Sequence, residues 1–151
     1  MNQRREITPT ITVADQPTEA DLEALKAEGF VAVANLRNDG EPEQPLSTTA
    51  EGQHVRGLGM DYLHLGVGSA PLNPDGVGAF CEFLDRHAAD KVLVHCRKGG
   101  RAAALVVLRQ ALEESWTPEE LDPKARAMGV PIEGGLKMLV ESYLREHGGT
   151  A

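Results

Sequence analysis

Val92-Leu93-Val94-His95-Cys96-Arg97-Lys98-Gly99-Gly100-Arg101 passes from an apolar segment through a basic, glycine-bearing turn into the apolar residues 102–108. The pattern predicts a buried strand, a tight loop and the start of a helix. Such a turn aims backbone N–H groups at one point, and the helix dipole adds partial positive charge there. Cys96 stands at that point, with Arg97, Lys98 and Arg101 beside it and no acidic residue in the stretch. Cations and dipole together favour a thiolate. Cysteine at a strand end is commonly inert packing, but these surroundings suit a neutral core thiol poorly. The stretch reads as a nucleophile joined to an oxyanion cradle.

Within it, Cys96 is the candidate nucleophile and Arg101 the candidate clamp, because a planar guanidinium holds two oxygens of a tetrahedral anion at once. Arg97, Lys98, Gly99 and Gly100 are candidate anion-binding positions, the two cations supplying potential and the glycines close backbone approach. His95 precedes Cys96, and neighbours along a strand point to opposite faces. It suits a buried group that orients the loop and its ligand better than a base for Cys96. The five histidines and two cysteines show no metal-ligand spacing, so no metal and no cofactor are expected.

Upstream, Asn73-Pro74-Asp75 has the form of a helix opening, with Asn73 as N-cap and Asp75 beside the positive dipole end. Val77, Phe80, Cys81, Leu84 and Ala88 follow at helical spacing, which assigns Cys81 to a core face. Residues 31–36 and 61–67 have strand character, separated by a polar loop over 38–45 and a glycine-interrupted helix over 48–58. Ile11-Thr12-Val13, between Pro9 and Pro17, reads as a first edge strand, and Thr18 as the cap of a helix closed by Gly29. Downstream, Thr117-Pro118-Glu119-Glu120 opens a helix. A last helix over 133–147 stops at Gly148-Gly149. Strands alternating with helices imply an α/β layer fold with a mainly parallel sheet. Cys96 then lies at the carboxyl end of a central strand, where open sheets place ligands.

The chain has 151 residues and is expected to form a single domain over 1–151, with a core over 8–115 and C-terminal helices over 117–147. A formal net charge of −8 argues against nucleic-acid or anionic-membrane partners. A small oxyanion or a phosphorylated substrate suits the local cationic loop. The N-terminus lacks the apolar core of a signal peptide, and two cysteines make no disulfide framework. A soluble cytoplasmic protein is the expectation.

The residues also carry a family resemblance. Val92-Leu93-Val94-His95-Cys96, a glycine-bearing loop and then Arg101 resemble the signature loop of cysteine-dependent protein tyrosine and dual-specificity phosphatases. Phe30-Val31-Ala32-Val33-Ala34-Asn35-Leu36-Arg37 resembles that family's early strand, and Met60-Asp61-Tyr62-Leu63-His64-Leu65 its strand before the catalytic unit. The likeness is greatest to the small bacterial phosphatase-like domain of beta-lactamase-hydrolase-like proteins and covers residues 8–115. It implies a three-layer phosphatase-like fold and hydrolysis of phosphate monoesters through a phosphocysteine. Related phosphatases carry an Asp about where Gly68 and Ser69 stand here, so the resemblance leaves Asp75 as the nearest candidate general acid, with Asp39 and Glu41 behind it. Only four residues separate Cys96 from Arg101, one fewer than in the phosphatase signature. Four is the loop length of rhodanese-type sulfurtransferases, which keeps a persulfide chemistry open beside phosphatase and non-catalytic phosphate-binding readings. Some of the bacterial phosphatase-like group share the shorter loop.

Overall fold

The computed structural model describes residues 1–148. In chain order its elements are β1 (Arg4–Glu6), β2 (Ile11–Ala14), α1 (Glu19–Ala27), β3 (Phe30–Asn35), α2 (Thr48–Gly57) and β4 (Asp61–His64). They continue with α3 (Pro74–Arg86), β5 (Lys91–His95), α4 (Gly100–Glu114), α5 (Pro118–Ala127) and α6 (Gly134–His147). The five strands form one sheet in the order β1-β2-β5-β3-β4. The pairs β2–β5, β5–β3 and β3–β4 are parallel, and only β1 runs antiparallel. This is the α/β layer fold expected from the pattern.

Strand alternation divides the core between two faces. Val92, Val94 and Cys96 join one apolar cluster with Phe80 of α3, Leu105 of α4 and Val140 of α6. Leu93 joins the other, with Leu22 and Leu25 of α1 and Val55 of α2. Cys96 and His95 therefore look into different layers, as the period of two requires. With all its residues but Lys91 buried, β5 is an apolar run covered on both sides, the usual state of a central parallel strand.

The helix openings differ in a way that bears on the site. Thr18, Ser47, Asn73 and Thr117 cap α1, α2, α3 and α5 through their side chains, and each of those first turns carries an acid. In contrast, α4 and α6 have no side-chain cap and no acid in the first turn. At α4, whose N-cap is Gly99, the first N–H groups keep their positive end unneutralised, whereas α6 has the acid Glu133 at its N-cap. These two openings meet at one place, since a Cβ on Gly100 would lie 3.4 Å from Leu136.

Two expectations need correction. Ile11-Thr12-Val13 is not an edge strand, because β1 pairs outside it through Arg4↔Ala14 and Glu6↔Thr12. The three residues of β1 are all exposed and two are arginine, so neither period nor apolar content announces them. Strand pairing fixes them instead. The second correction is β4, which ends at His64 rather than running to residue 67. The chain still follows β3 through Leu65 N–H to Asn35 O (3.0 Å) and Val67 N–H to Leu36 O (3.0 Å). At the end of the chain α6 closes at His147 with Gly148 as its C-cap, while Gly149 lies outside the described residues.

Candidate active site

Cys96 follows the last residue of β5 and is 1% exposed. Its own N–H is held by Ala14 O of β2 at 3.3 Å, so the loop departs from a strand anchored on both sides. The loop then curls until Gly99 N–H points at Cys96 Sγ, 3.1 Å away. That curl needs φ +101 at Gly99, a backbone region closed to most side-chain-bearing residues. Gly99 is also the uncapped N-cap of α4, so one glycine both turns the chain and aims a donor at sulfur. Cys96, Arg97, Lys98, Gly100, Arg101 and Leu136 line a cavity of about 250 Å³ at this point.

Arg101 is only partly exposed, and its guanidinium is fixed before any ligand arrives. Nη1 donates to Glu41 Oε2 (2.9 Å) and to Val67 O (2.8 Å), and Nη2 donates to Glu41 Oε1 (2.7 Å). Glu41 is pulled well below the usual carboxylate range, to about 2, chiefly by Arg101 and further by Asn38 N–H and Arg37, against the opposing effect of burial. The Cys96 sulfur adds to the Glu41 carboxylate in pushing the Arg101 pKa up. Nε–H and the remaining hydrogen on Nη2 share one edge of the plane, and no protein carboxylate takes that edge. A second fork is thus left for an anion.

Glu41 is itself held by Arg37, a charged side chain with no exposure at all. Arg37 Nε donates to Glu41 Oε1 (3.1 Å), and its other nitrogens to Gln16 Oε1 (2.8 Å), Glu43 O (3.1 Å) and Pro42 O. Gln16 Nε2 donates in turn to Glu51 Oε1 (3.0 Å). Glu51, fully buried in α2, lies 2.6 Å from His95 Nε2. The polar chain Arg101–Glu41–Arg37–Gln16–Glu51–His95 thus joins both ends of the Cys96 loop. It satisfies a buried guanidinium and a buried carboxylate that would otherwise be costly.

Of the positions expected from the sequence, Cys96, Arg97, Lys98, Gly100 and Arg101 come together around the cavity, with Gly99 donating to the sulfur. Arg97 is drawn aside by Glu43 on the 38–45 loop. His95 is fully buried and turned towards Glu51. It does not line the cavity. Asp75 is exposed in the first turn of α3, its N–H taken by Asn73 Oδ1 (2.8 Å), and it too is not among the cavity's lining. Asp39 is bonded to Thr48 through N–H (2.8 Å) and Oγ1 (3.1 Å). Cys81, expected on a core face, is half-buried, a free thiol whose pKa burial pushes up. Arg37, Gln16 and Glu51 had no signal of their own in the sequence, since each lies in a different segment and only the sheet order brings them together.

Among the described residues, no group of three or more His, Cys, Asp or Glu side chains is arranged to hold a metal ion. No described helix is long and apolar enough to cross a membrane.

A parallel-sheet α/β domain with a cysteine loop between a central strand and an uncapped helix has the architecture of the protein tyrosine and dual-specificity phosphatases. Residues 3–113 match the family described as the phosphatase-like domain of beta-lactamase hydrolase-like protein, and the chain belongs to that family. A curated relative, the beta-lactamase hydrolase-like protein of Agrobacterium fabrum, is 37% identical over 108 residues, which are 71% of this chain and 25% of the relative. The chain therefore spans about a quarter of that relative's length. Among solved structures, a protein of Shewanella putrefaciens described as a candidate phosphatase is 26% identical with a TM-score of 0.71, covering 96% of this chain and 93% of its own. Tk-PTP in its active form, at 20% identity, shares the fold with a TM-score of 0.74 over 97% of this chain and 98% of its own.

Proposed function

We propose that the chain is a cysteine-dependent phosphatase that hydrolyses phosphate monoesters through a phosphocysteine. The observation that carries this reading is the Gly99 N–H held 3.1 Å from Cys96 Sγ inside a cavity that Arg101 also lines. A backbone donor and a guanidinium stabilise both a thiolate and the equatorial oxygens of a transferring phosphoryl group. In the first step Cys96 Sγ attacks phosphorus, the P–O ester bond breaks and the leaving oxygen departs with the electron pair. Water then attacks phosphorus, the S–P bond breaks and phosphate leaves. Arg101 presents its Nε–Nη2 edge to two of the oxygens throughout.

No carboxylate lines the cavity, and the 66–72 segment contains none. Protonation of the leaving oxygen by a positioned acid typically contributes about 10²–10⁴ in rate. The reaction therefore favours activated aryl phosphates, whose leaving groups need little protonation, and is much slower on alkyl phosphates. Asp75 is the acid only if it reaches the leaving oxygen, so Asp75→Asn decides its role. An unchanged rate on a poor leaving group removes it from the mechanism.

The short loop gives one specific reason to keep a second reading. Four residues between Cys96 and Arg101 make a tight curve that suits a sulfur atom as well as a phosphoryl group. In that chemistry Cys96 attacks the sulfane sulfur of thiosulfate, sulfite leaves and a persulfide remains. Paired assays on an aryl phosphate and on thiosulfate separate the two. Hydrolysis of the aryl phosphate that Cys96→Ser abolishes supports the phosphatase. Faster sulfur transfer from thiosulfate replaces it, and activity on neither, with phosphate still bound, leaves a binding module.

A further inference from the structure

Leu136, at the start of α6, is the apolar wall of the Cys96 cavity. It also belongs to an adjoining hollow of about 470 Å³ with Leu139, Gly68 and Ser69. Ser69, Gly135 and Leu139 continue into a third hollow of about 420 Å³, where Leu72, Met138 and Tyr143 join them. The three hollows adjoin in turn, at Leu136 and then at Ser69, Gly135 and Leu139, and together make a groove that leads from the cavity of the buried thiol along α6 and the 66–72 segment. Met138 on its flank is 69% exposed, the most exposed large apolar side chain among the described residues. An exposed apolar strip that begins at a reactive group marks a binding surface better than it marks chance.

We propose that this groove is the subsite for the remainder of the substrate, and that this remainder carries a linear alkyl chain on a phosphate monoester whose leaving oxygen needs little protonation. The proposal rests on the phosphatase reading of Cys96. A substrate whose phosphoryl group lies over a 1% exposed sulfur has to lead its ester group out of the cavity. Hollows also adjoin the cavity at Arg97, Lys98 and Gly100, but these carry charged groups, Asp15 and Glu43 in one and Arg4 and Arg5 in the other, and suit an apolar group less well. Towards α6 the walls are Leu136, then Leu139 and Leu72, then Met138. From Leu136 to Tyr143 the helix advances about 10 Å at 1.5 Å per residue, more than a single aromatic ring fills. Gly135 leaves the groove unnarrowed, since a Cβ built there meets nothing within 4 Å. Glu133 and Glu146, exposed residues that line the outer hollows, disfavour an acidic phosphopeptide.

Calorimetric titration with methyl-, butyl-, hexyl- and octylphosphonate, below micelle formation, tests the groove without requiring turnover. For a chain half-buried in the groove, affinity should rise roughly twofold per methylene. Met138→Glu and, separately, Ser142→Glu, both at exposed positions, should flatten that rise while methylphosphonate binds as before. A flat series on the native chain overturns the groove even if an aryl phosphate is hydrolysed. A rise that both variants retain overturns it too. No binding of methylphosphonate, with no hydrolysis of an aryl phosphate, overturns the phosphatase reading and the groove with it. If the native chain self-associates in sedimentation and Met138→Glu disperses it, a second copy covers the groove and the proposal fails.

Discussion

Arg101 brings five donors to the loop, and three are spoken for by Glu41 and Val67 O in the free protein. What remains for a ligand is one planar edge, so the residue acts through geometry as much as charge. Lysine cannot keep Glu41, Val67 O and an anion in that plan at once. Arg101→Lys should lower kcat by about 10²-fold or more while the melting temperature holds, as loss of an oriented oxyanion donor does. Near-normal turnover would show that the clamp lies elsewhere. Glu41→Gln tests the support behind the clamp, and steady-state kinetics should show kcat falling with binding of inorganic phosphate retained. The same variant has a pH signature. Because the folded carboxyl is drawn from 4.5 to about 2, its stabilising contribution is complete above about pH 4.5 and is lost as pH falls towards 2. Urea midpoints measured across that window should fall less steeply for Glu41→Gln than for the native chain.

The loop from Cys96 to Arg101 was the most legible element, because an apolar run, a cationic turn and paired glycines leave little choice of structure. The caps at Thr18, Asn73 and Thr117 were equally open to reading, since capping is local chemistry. β1 was not, because Arg4-Arg5-Glu6 becomes a strand only through its partner. Nor was the support of the site. Gln16, Arg37 and Glu51 sit after β2, after β3 and in α2, and no window of sequence contains two of them together with Cys96. Within the loop the two glycines are not equivalent. Gly99 holds φ +101, whereas the nearest obstacle to a Cβ on Gly100 is Leu136 at 3.4 Å. Gly99→Ala should therefore destabilise the fold by about 1–2 kcal/mol in chemical denaturation and depress turnover with it, while Gly100→Ala should be milder in both. Equal effects would mean that the left-handed turn is not what the loop depends on.

At the scale of the molecule, the sheet order decides which loops can meet. The connections leaving β2, β3 and β5 emerge side by side because those strands are neighbours, although they are far apart along the chain. Arg37 is the point through which they are tied, and removing its charge leaves Glu41 short of a partner in a half-buried place. Arg37→Met should cost roughly 3–5 kcal/mol, in the range for a broken buried pair, and a loss below about 1 kcal/mol would mean water replaces the guanidinium readily.

That tie also has a consequence for motion. The 38–45 segment lies mostly at the surface, where backbone amides ordinarily exchange with solvent almost freely. Here Asn38 N–H is bonded to Glu41 Oε2 (2.7 Å), Gly40 N–H to Gln44 Oε1 (3.2 Å) and Thr48 N–H, just beyond, to Asp39 Oδ1 (2.8 Å). Opening the segment means releasing Arg37, Arg97 and Arg101 in one event rather than fraying residue by residue. Its amides should accordingly exchange together, at a single rate well slower than those of the 66–72 segment, and Arg37→Met should abolish that shared protection. An outer loop would then report by deuterium uptake on the order of an inner one.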